Sequence, residues 1–166
     1  LFIVDAVASL GGAPVATDAW NVDILLGGSQ KCFACPPDMS ILAVSDAAWE
    51  RMVEVNYQGY EALLPFHQAD QDPMRFPYTP NWPGVHASTE ALLKEGPVHV
   101  FARHEAVAAQ CRHGLADLNI PLWTAPDAVN SPTVTAARVP VGFTWPEWKA
   151  ALAAHGLVVG GSLGPM

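Results

Sequence analysis

Two short apolar runs, each leading to an ionisable residue, constrain this chain more than any other feature. Leu1-Phe2-Ile3-Val4 runs into Asp5, and Ile24-Leu25-Leu26 runs through Gly27-Gly28-Ser29-Gln30 into Lys31. Unbroken apolar runs of this length read as parallel strands buried on both faces, because an exposed face would alternate with polar residues. Two such strands deliver an acid and an amine to one edge of a sheet. Burial disfavours the charged form of an amine and leaves it nucleophilic.

An uncharged amine condenses with a carbonyl to give a Schiff base. A carboxylate facing a pyridine nitrogen keeps that nitrogen protonated, so the ring accepts electrons. Asp5 and Lys31 together therefore suggest a pyridoxal phosphate site. Each residue taken singly has a plainer reading. A lysine after a glycine pair is commonly a solvated loop residue, and an aspartate after a strand commonly closes a turn or caps a helix.

The bulk properties bound the alternatives. The 166 residues can bury one sizeable core or two small ones, and 51% are hydrophobic. No apolar run approaches the length of a membrane span. A net charge of −8 gives no electrostatic reason to expect nucleic acid or an anionic membrane as partner. Only 14% of residues are charged, against six Trp and fifteen Pro, which predicts apolar surface in need of a cover.

Cys32-x-x-Cys35 has redox or zinc spacing, but no second such pair and no close histidine pair completes a metal site. Cys32, Cys35 and Cys111 are read as reduced, mostly packing thiols, suited to a reducing intracellular compartment such as cytoplasm, mitochondrion or peroxisome. No metal is expected.

Along the chain, 41–44 reads as a third strand of the same buried, parallel kind. Asp46 can cap a helix to about Val55, with Trp49, Met52 and Val53 on one face. Residues 57–80 show no period and read as a long loop. Helices are expected over 85–94, ending at Gly96-Pro97, and over 98–118, where Val100, Phe101, Val107, Cys111 and Leu115 recur at near-helical spacing. Strands are expected at 120–123, 133–139 and 157–159. Thr144-Trp145-Pro146-Glu147 is a capping box opening a helix to His155. The composition shift at Gly96-Pro97 predicts two domains, 1–96 and 97–166.

The stretches Asp5-Ala6-Val7-Ala8-Ser9-Leu10-Gly11-Gly12, Gly28-Ser29-Gln30-Lys31, Pro36-Pro37, Phe76-Pro77-Tyr78-Thr79-Pro80 and Ser131-Pro132-Thr133-Val134-Thr135 resemble the class V aminotransferases in order and spacing. So does Gly160-Gly161-Ser162-Leu163-Gly164-Pro165. Within that family the chain is most similar to the alanine–glyoxylate and serine–pyruvate group.

The resemblance implies an α/β fold: part of a fold-type-I large domain with a mostly parallel sheet, followed by a small α+β C-terminal domain. It implies pyridoxal 5'-phosphate as cofactor and a homodimer as assembly. The substrates implied are a small amino acid, alanine or serine, and a 2-oxo acid, glyoxylate or pyruvate. Lys31 would form the Schiff base and shuttle the substrate proton through both halves of a ping-pong reaction. Asp5 would meet the ring nitrogen. Gln30 would meet the cofactor phosphate or orient Lys31. Thr79 would reach the phosphate of the cofactor in the opposite subunit.

Three positions depart from the family pattern: Phe76 stands for a tyrosine, Tyr78 for a common histidine, and Asp38 for a glycine. The missing hydroxyl at Phe76 keeps a pyridoxamine–pyruvate aminotransferase open as a second reading. Leu1 opens in mid-strand, and neither an N-terminal portion nor the family's carboxylate-binding arginine follows from this sequence. The chain is therefore expected to be the C-terminal part of a longer enzyme. A non-catalytic, aminotransferase-derived subunit of a larger assembly is the alternative from another class.

Overall fold

The computed structural model describes residues 1–67, 69, 72, 74 and 76–161. Arg75 and the stretch Ser162-Leu163-Gly164-Pro165 lie outside the described residues. The element order is β1 (Ile3–Asp5), β2 (Ile24–Gly28), β3 (Ser40–Val44), α1 (Asp46–Val55), a 3-10 turn (Leu64–Phe66), α2 (Trp82–Glu95), α3 (Pro97–Asp117) and α4 (Trp145–Ala154). Two compact units result, Leu1–Glu105 and Ala106–Met166, and the division falls inside α3, past the Gly96-Pro97 junction.

The sheet has the order β1-β2-β3. β1 and β2 are parallel, with Ile3 opposite Ile24 and Asp5 opposite Leu26. β3 runs antiparallel to β2, with Gly28 opposite Ser40 and Ile24 opposite Val44. A parallel third strand was expected, and the sheet is mixed instead. The physical reason is the connection: Ser29 to Met39 reverses the chain directly, whereas a parallel return needs a crossover of a dozen or more residues.

One face of the sheet is covered. Ala6, Val22 and Leu25 form its buried centre, with Val4, Leu10 and Val15 packed against them. Residues on the other face, including Ile3, Leu26 and Leu42, stay exposed. The expectation of strands buried on both faces therefore holds fully on one side, and on the other only at the Ile24 end of β2. Apolar runs report what a strand will bury once its surroundings are present, and do not name the cover.

The end of the sheet opposite Lys31 is stitched by one carboxylate. Asp23 accepts the Phe2 backbone N–H at 2.7 Å and the Ser45 hydroxyl at 2.9 Å. Ser45 in turn caps α1, accepting the Ala48 N–H at 3.1 Å. The start of β1, the start of β2 and the N-terminus of α1 thus meet at two side chains. The Phe2 N–H bond, then the Ser45 hydroxyl, hold the Asp23 carboxyl below the usual carboxylate range.

α2 begins at the Asn81 cap, which accepts the Gly84 N–H at 3.1 Å, and ends at Gly96 with φ +81°. A side chain at Gly84 would meet the Met39 sulfur at 3.1 Å, so its absence lets the helix approach the chain entering β3. The helix starts three residues earlier than the periodicity predicts, because Pro83 fits the first turn and supplies no N–H that the turn needs.

In the second unit α4 carries its expected capping box. The Glu147 carboxylate accepts from the Thr144 backbone N–H at 2.8 Å and from its hydroxyl at 2.7 Å. The expected strands 120–123 and 133–139 reduce to one antiparallel bridge between Leu122 and Ala137, and 157–159 forms no strand. Pro121, Pro132 and Pro140 lack the N–H that a longer ladder requires.

Candidate active site

Parallel pairing fixes where the two singled-out residues fall. β1 and β2 finish at the same edge, so Asp5 and the turn Ser29-Gln30-Lys31 leave the sheet on one side. The crevice outside the carboxyl ends of parallel strands is where α/β sheets collect ligands. Among the described residues, the Lys31 amine has no hydrogen bond or ion pair and is exposed. The burial expected for it is therefore not provided by this chain alone. One Asp5 oxygen accepts the Val7 N–H at 3.0 Å, the turn-closing role that the plainer reading assigned, and leaves the other oxygen without a described partner.

The glycines explain how the two loops come close. A side chain at Gly27 would collide with the Leu10 side chain, its Cβ only 2.3 Å from Cδ2. Gly11 adopts φ +85°, a region that L side chains rarely enter, and its Cα faces the Phe33 ring. Both loops need bare backbone at the point of contact. The sequence pattern Gly11-Gly12 and Gly27-Gly28 carried that signal without naming the rings and methyls that fill the space.

Ser29 is the most completely buried polar residue described, and it closes the lysine loop. Its hydroxyl donates to the Pro36 carbonyl at 2.5 Å, while its own carbonyl accepts the Cys35 N–H at 3.0 Å. The Lys31 carbonyl accepts the Ala34 N–H at 2.9 Å, a turn that places Ala34 at φ +53°. Gln30 is exposed, and its amide folds back over Gly28, where a Cβ would come within 2.4 Å of Oε1. It thus lies beside the strand end that carries Lys31.

Thr79 is exposed, two residues ahead of the Asn81 cap, and has no described hydrogen bond with Asp5, Gln30 or Lys31. Phe76 packs edge-on against Phe66 at 5.4 Å, so the side chain that departs from the family pattern serves an aromatic cluster with Tyr78 and Tyr60. Arg103, whose sequence context leaves carboxylate binding and salt bridging open, makes a salt bridge. Glu95 and Arg103 form a forked ion pair, Nε to Oε1 at 2.8 Å and Nη2 to Oε2 at 2.9 Å, behind the lysine loop. Their spacing of eight residues crosses the Gly96 break between two helices, which no single-helix rule would flag.

The three cysteines are free; Cys32 and Cys35 are half-buried, as packing thiols would be, whereas Cys111 on α3 is exposed. No cluster of three or more histidine, cysteine or acidic side chains suited to a metal occurs among the described residues. No described helix is long and apolar enough to cross a membrane.

The family model for class-V aminotransferases matches residues 1–161. An uncharacterized aminotransferase of Methanocaldococcus jannaschii is 36% identical over 97% of this chain and 43% of its own length. Alanine–glyoxylate aminotransferase of Oryctolagus cuniculus is 31% identical over 99% of this chain and 45% of its own. Among solved structures, pyridoxamine–pyruvate aminotransferase from Mesorhizobium loti superposes with a TM-score of 0.85 at 33% identity, over 98% of this chain and 43% of that one. The chain spans less than half the length of these relatives. With its strand-end acid and amine and a match running from the first residue to Gly161, the chain belongs to the class-V aminotransferase family.

Proposed function

We propose that this chain supplies the acid and the amine of a pyridoxal phosphate site in a protein that transfers amino groups. Its substrates are a small amino acid, alanine or serine, and a 2-oxo acid, glyoxylate or pyruvate. One observation carries the reading: parallel pairing of β1 and β2 sends Asp5 and Lys31 off the same sheet edge. The donor set fits the cofactor of this family, since Asp5 keeps one carboxylate oxygen and Lys31 its amine without described partners.

When bound, the cofactor supplies an aldehyde for amine condensation and a ring that stabilises a carbanion. The residues of this chain divide the remaining work. Asp5 accepts a hydrogen bond from the protonated ring nitrogen, and its charge favours that protonated form. Lys31 holds the cofactor and then carries the proton at the substrate Cα. Gln30, folded over Gly28, would border the cofactor or orient Lys31. Thr79 donates its hydroxyl to the cofactor phosphate of a second subunit in a homodimer. Its exposure and its lack of described bonds to Lys31 are compatible with a partner across an interface.

Pyridoxamine–pyruvate transamination is the second reading. It is favoured by the likeness to the Mesorhizobium loti enzyme and by Phe76, which lacks a hydroxyl for phosphate. A substrate panel on the purified full-length protein separates the two. Keto-acid-dependent amino transfer from alanine or serine supports the first reading, and transfer confined to pyridoxamine with pyruvate supports the second. A protein that binds no pyridoxal phosphate and transfers nothing contradicts both, and supports a non-catalytic subunit.

A further inference from the structure

We infer that Cys32 and Phe33 are positioning residues that clamp the loop carrying Lys31 onto the loop carrying Asp5. This inference rests on the proposed transamination site and goes beyond it, because neither side chain has a role in the reaction. The observations lie in the two residues that directly follow the lysine. The Cys32 thiol donates to the Ala8 carbonyl at 3.4 Å, three residues past Asp5. It is the one side-chain hydrogen bond that crosses between the two loops among the described residues. The Phe33 ring lies against the Gly11 Cα, close enough that an added Cβ would stand 3.1 Å from the ring edge.

The clamp has a backing. A cleft of about 200 Å³ behind Cys32 and Phe33 is walled by Leu92, Val100 and the Glu95–Arg103 fork. Burial pushes the Cys32 thiol upward, against the pull of the Arg103 charge, so the sulfur keeps the proton it donates. On its other side the lysine loop is closed by Ser29 and Pro36 and by the Ala34 N–H bond to the Lys31 carbonyl. Lys31 thus stands on a backbone fixed before and after it, and its two successors tie it to the acid's loop beside the Leu10 side chain that packs over Gly27. A lysine that must reach both a cofactor and a substrate proton needs its anchor held to a fraction of an ångström, and supporting residues set that precision.

The test uses the cofactor-loaded full-length protein with Cys32→Ala, Cys32→Ser and Phe33→Leu. The readouts are the pyridoxal phosphate dissociation constant, the pH midpoint of the bound cofactor's visible absorption, and the melting temperature of the cofactor-free form. Cys32→Ala is expected to weaken cofactor binding roughly three- to tenfold and to move the absorption midpoint, the scale of one lost hydrogen bond. Cys32→Ser keeps a donor and restores both, and Phe33→Leu moves both in the direction of Cys32→Ala. Should Cys32→Ala fail to fold, Phe33→Leu against the unaltered protein carries the same comparison. An unchanged midpoint and affinity in Cys32→Ala and Phe33→Leu overturn the clamp, as does a Cys32→Ser variant no better than Cys32→Ala. In that outcome normal cofactor uptake by the unaltered protein leaves the transamination reading standing, whereas no uptake removes both.

Discussion

The loops at the strand ends and the segment between α3 and α4 are built from similar residues, yet only the former are tightly tied. In the first, Ala6 to Ala13 and Ser29 to Pro36 are joined by a sulfur bond and a ring over a glycine, Leu10 packs over Gly27 at the end of β2, and Ser29 closes the second loop on itself. In the second, 118–144 holds one bridge, a Thr124–Asn130 side-chain bond, a Ser131–Thr133 bond, an Arg138–Trp123 stacking contact at 4.7 Å and a bond from Arg112 of α3 to the Ser131 carbonyl. The difference is one of sequence separation and of shape. Adjacent parallel strands force two loops into proximity, and paired glycines then allow close contact. A proline-interrupted segment has no such frame, so it is held by single side-chain bonds and one bridge rather than by a ladder.

That contrast can be broken at several points, beginning with the largest effect. Lys31→Ala is expected to abolish amino transfer, by roughly 10³-fold or more, since it removes both the covalent anchor and the proton carrier. The equivalent change at Lys149, on α4, should leave turnover within about twofold, as surface substitutions usually do. Steady-state rates of the two variants check this pair.

Glycine substitutions sharpen the comparison next. Gly11→Ala combines φ +85° with a ring 3.1 Å away, and should cost about 1–3 kcal/mol in denaturant unfolding. Gly142→Ala, at φ +93° with nothing within 4 Å, meets only the backbone term and should cost about 1 kcal/mol. Equal costs would mean that the Phe33 contact contributes nothing.

The helix caps test the same division on a smaller scale. Ser45→Ala removes a cap and one partner of Asp23, an expected loss of about 1 kcal/mol or more. Thr144→Ala removes a more exposed cap and should lose about 0.5 kcal/mol.

The smallest effect is in acid. Asp23 is held below its ordinary range by the Phe2 N–H and the Ser45 hydroxyl, so its folded value lies under its unfolded one. Its contribution is present above the unfolded value and is lost as pH falls through the folded one. Asp23→Asn should therefore lower stability at neutral pH, leave it little changed in strong acid, and so flatten the acid limb between them. Glu147, lowered by the Thr144 N–H, should behave the same way for α4.

How far the sequence reaches follows from the same physics. Helix α1 was legible from Asp46 and the apolar spacing, although the cap is Ser45, one residue before the expected Asp46, which begins the helix instead. The Thr144–Glu147 box opened α4 because it too is a local signal. β1 and β2 were legible as apolar runs, and so was the delivery of Asp5 and Lys31 to one edge. The direction of β3 was missed because an apolar run carries no direction, and only the short Ser29–Met39 connection decides it. The strands past Ile120 were overcalled, since alternation at 133–139 promises a partner that the prolines deny. Lysine burial was misjudged because burial depends on what covers Leu26, Leu42 and Lys31, and an apolar run does not specify its cover.

The central claim is that Lys31, set opposite Asp5 by parallel strands, is the amine that holds the cofactor. Its most direct test is reduction of the pyridoxal phosphate-loaded protein with borohydride, followed by peptide mass mapping. The account predicts a single phosphopyridoxyl addition on the peptide bearing Lys31, absent in Lys31→Ala. A label on Lys94 or Lys149, the other two lysines of the chain, or no label in a protein that transfers amino groups, would contradict it.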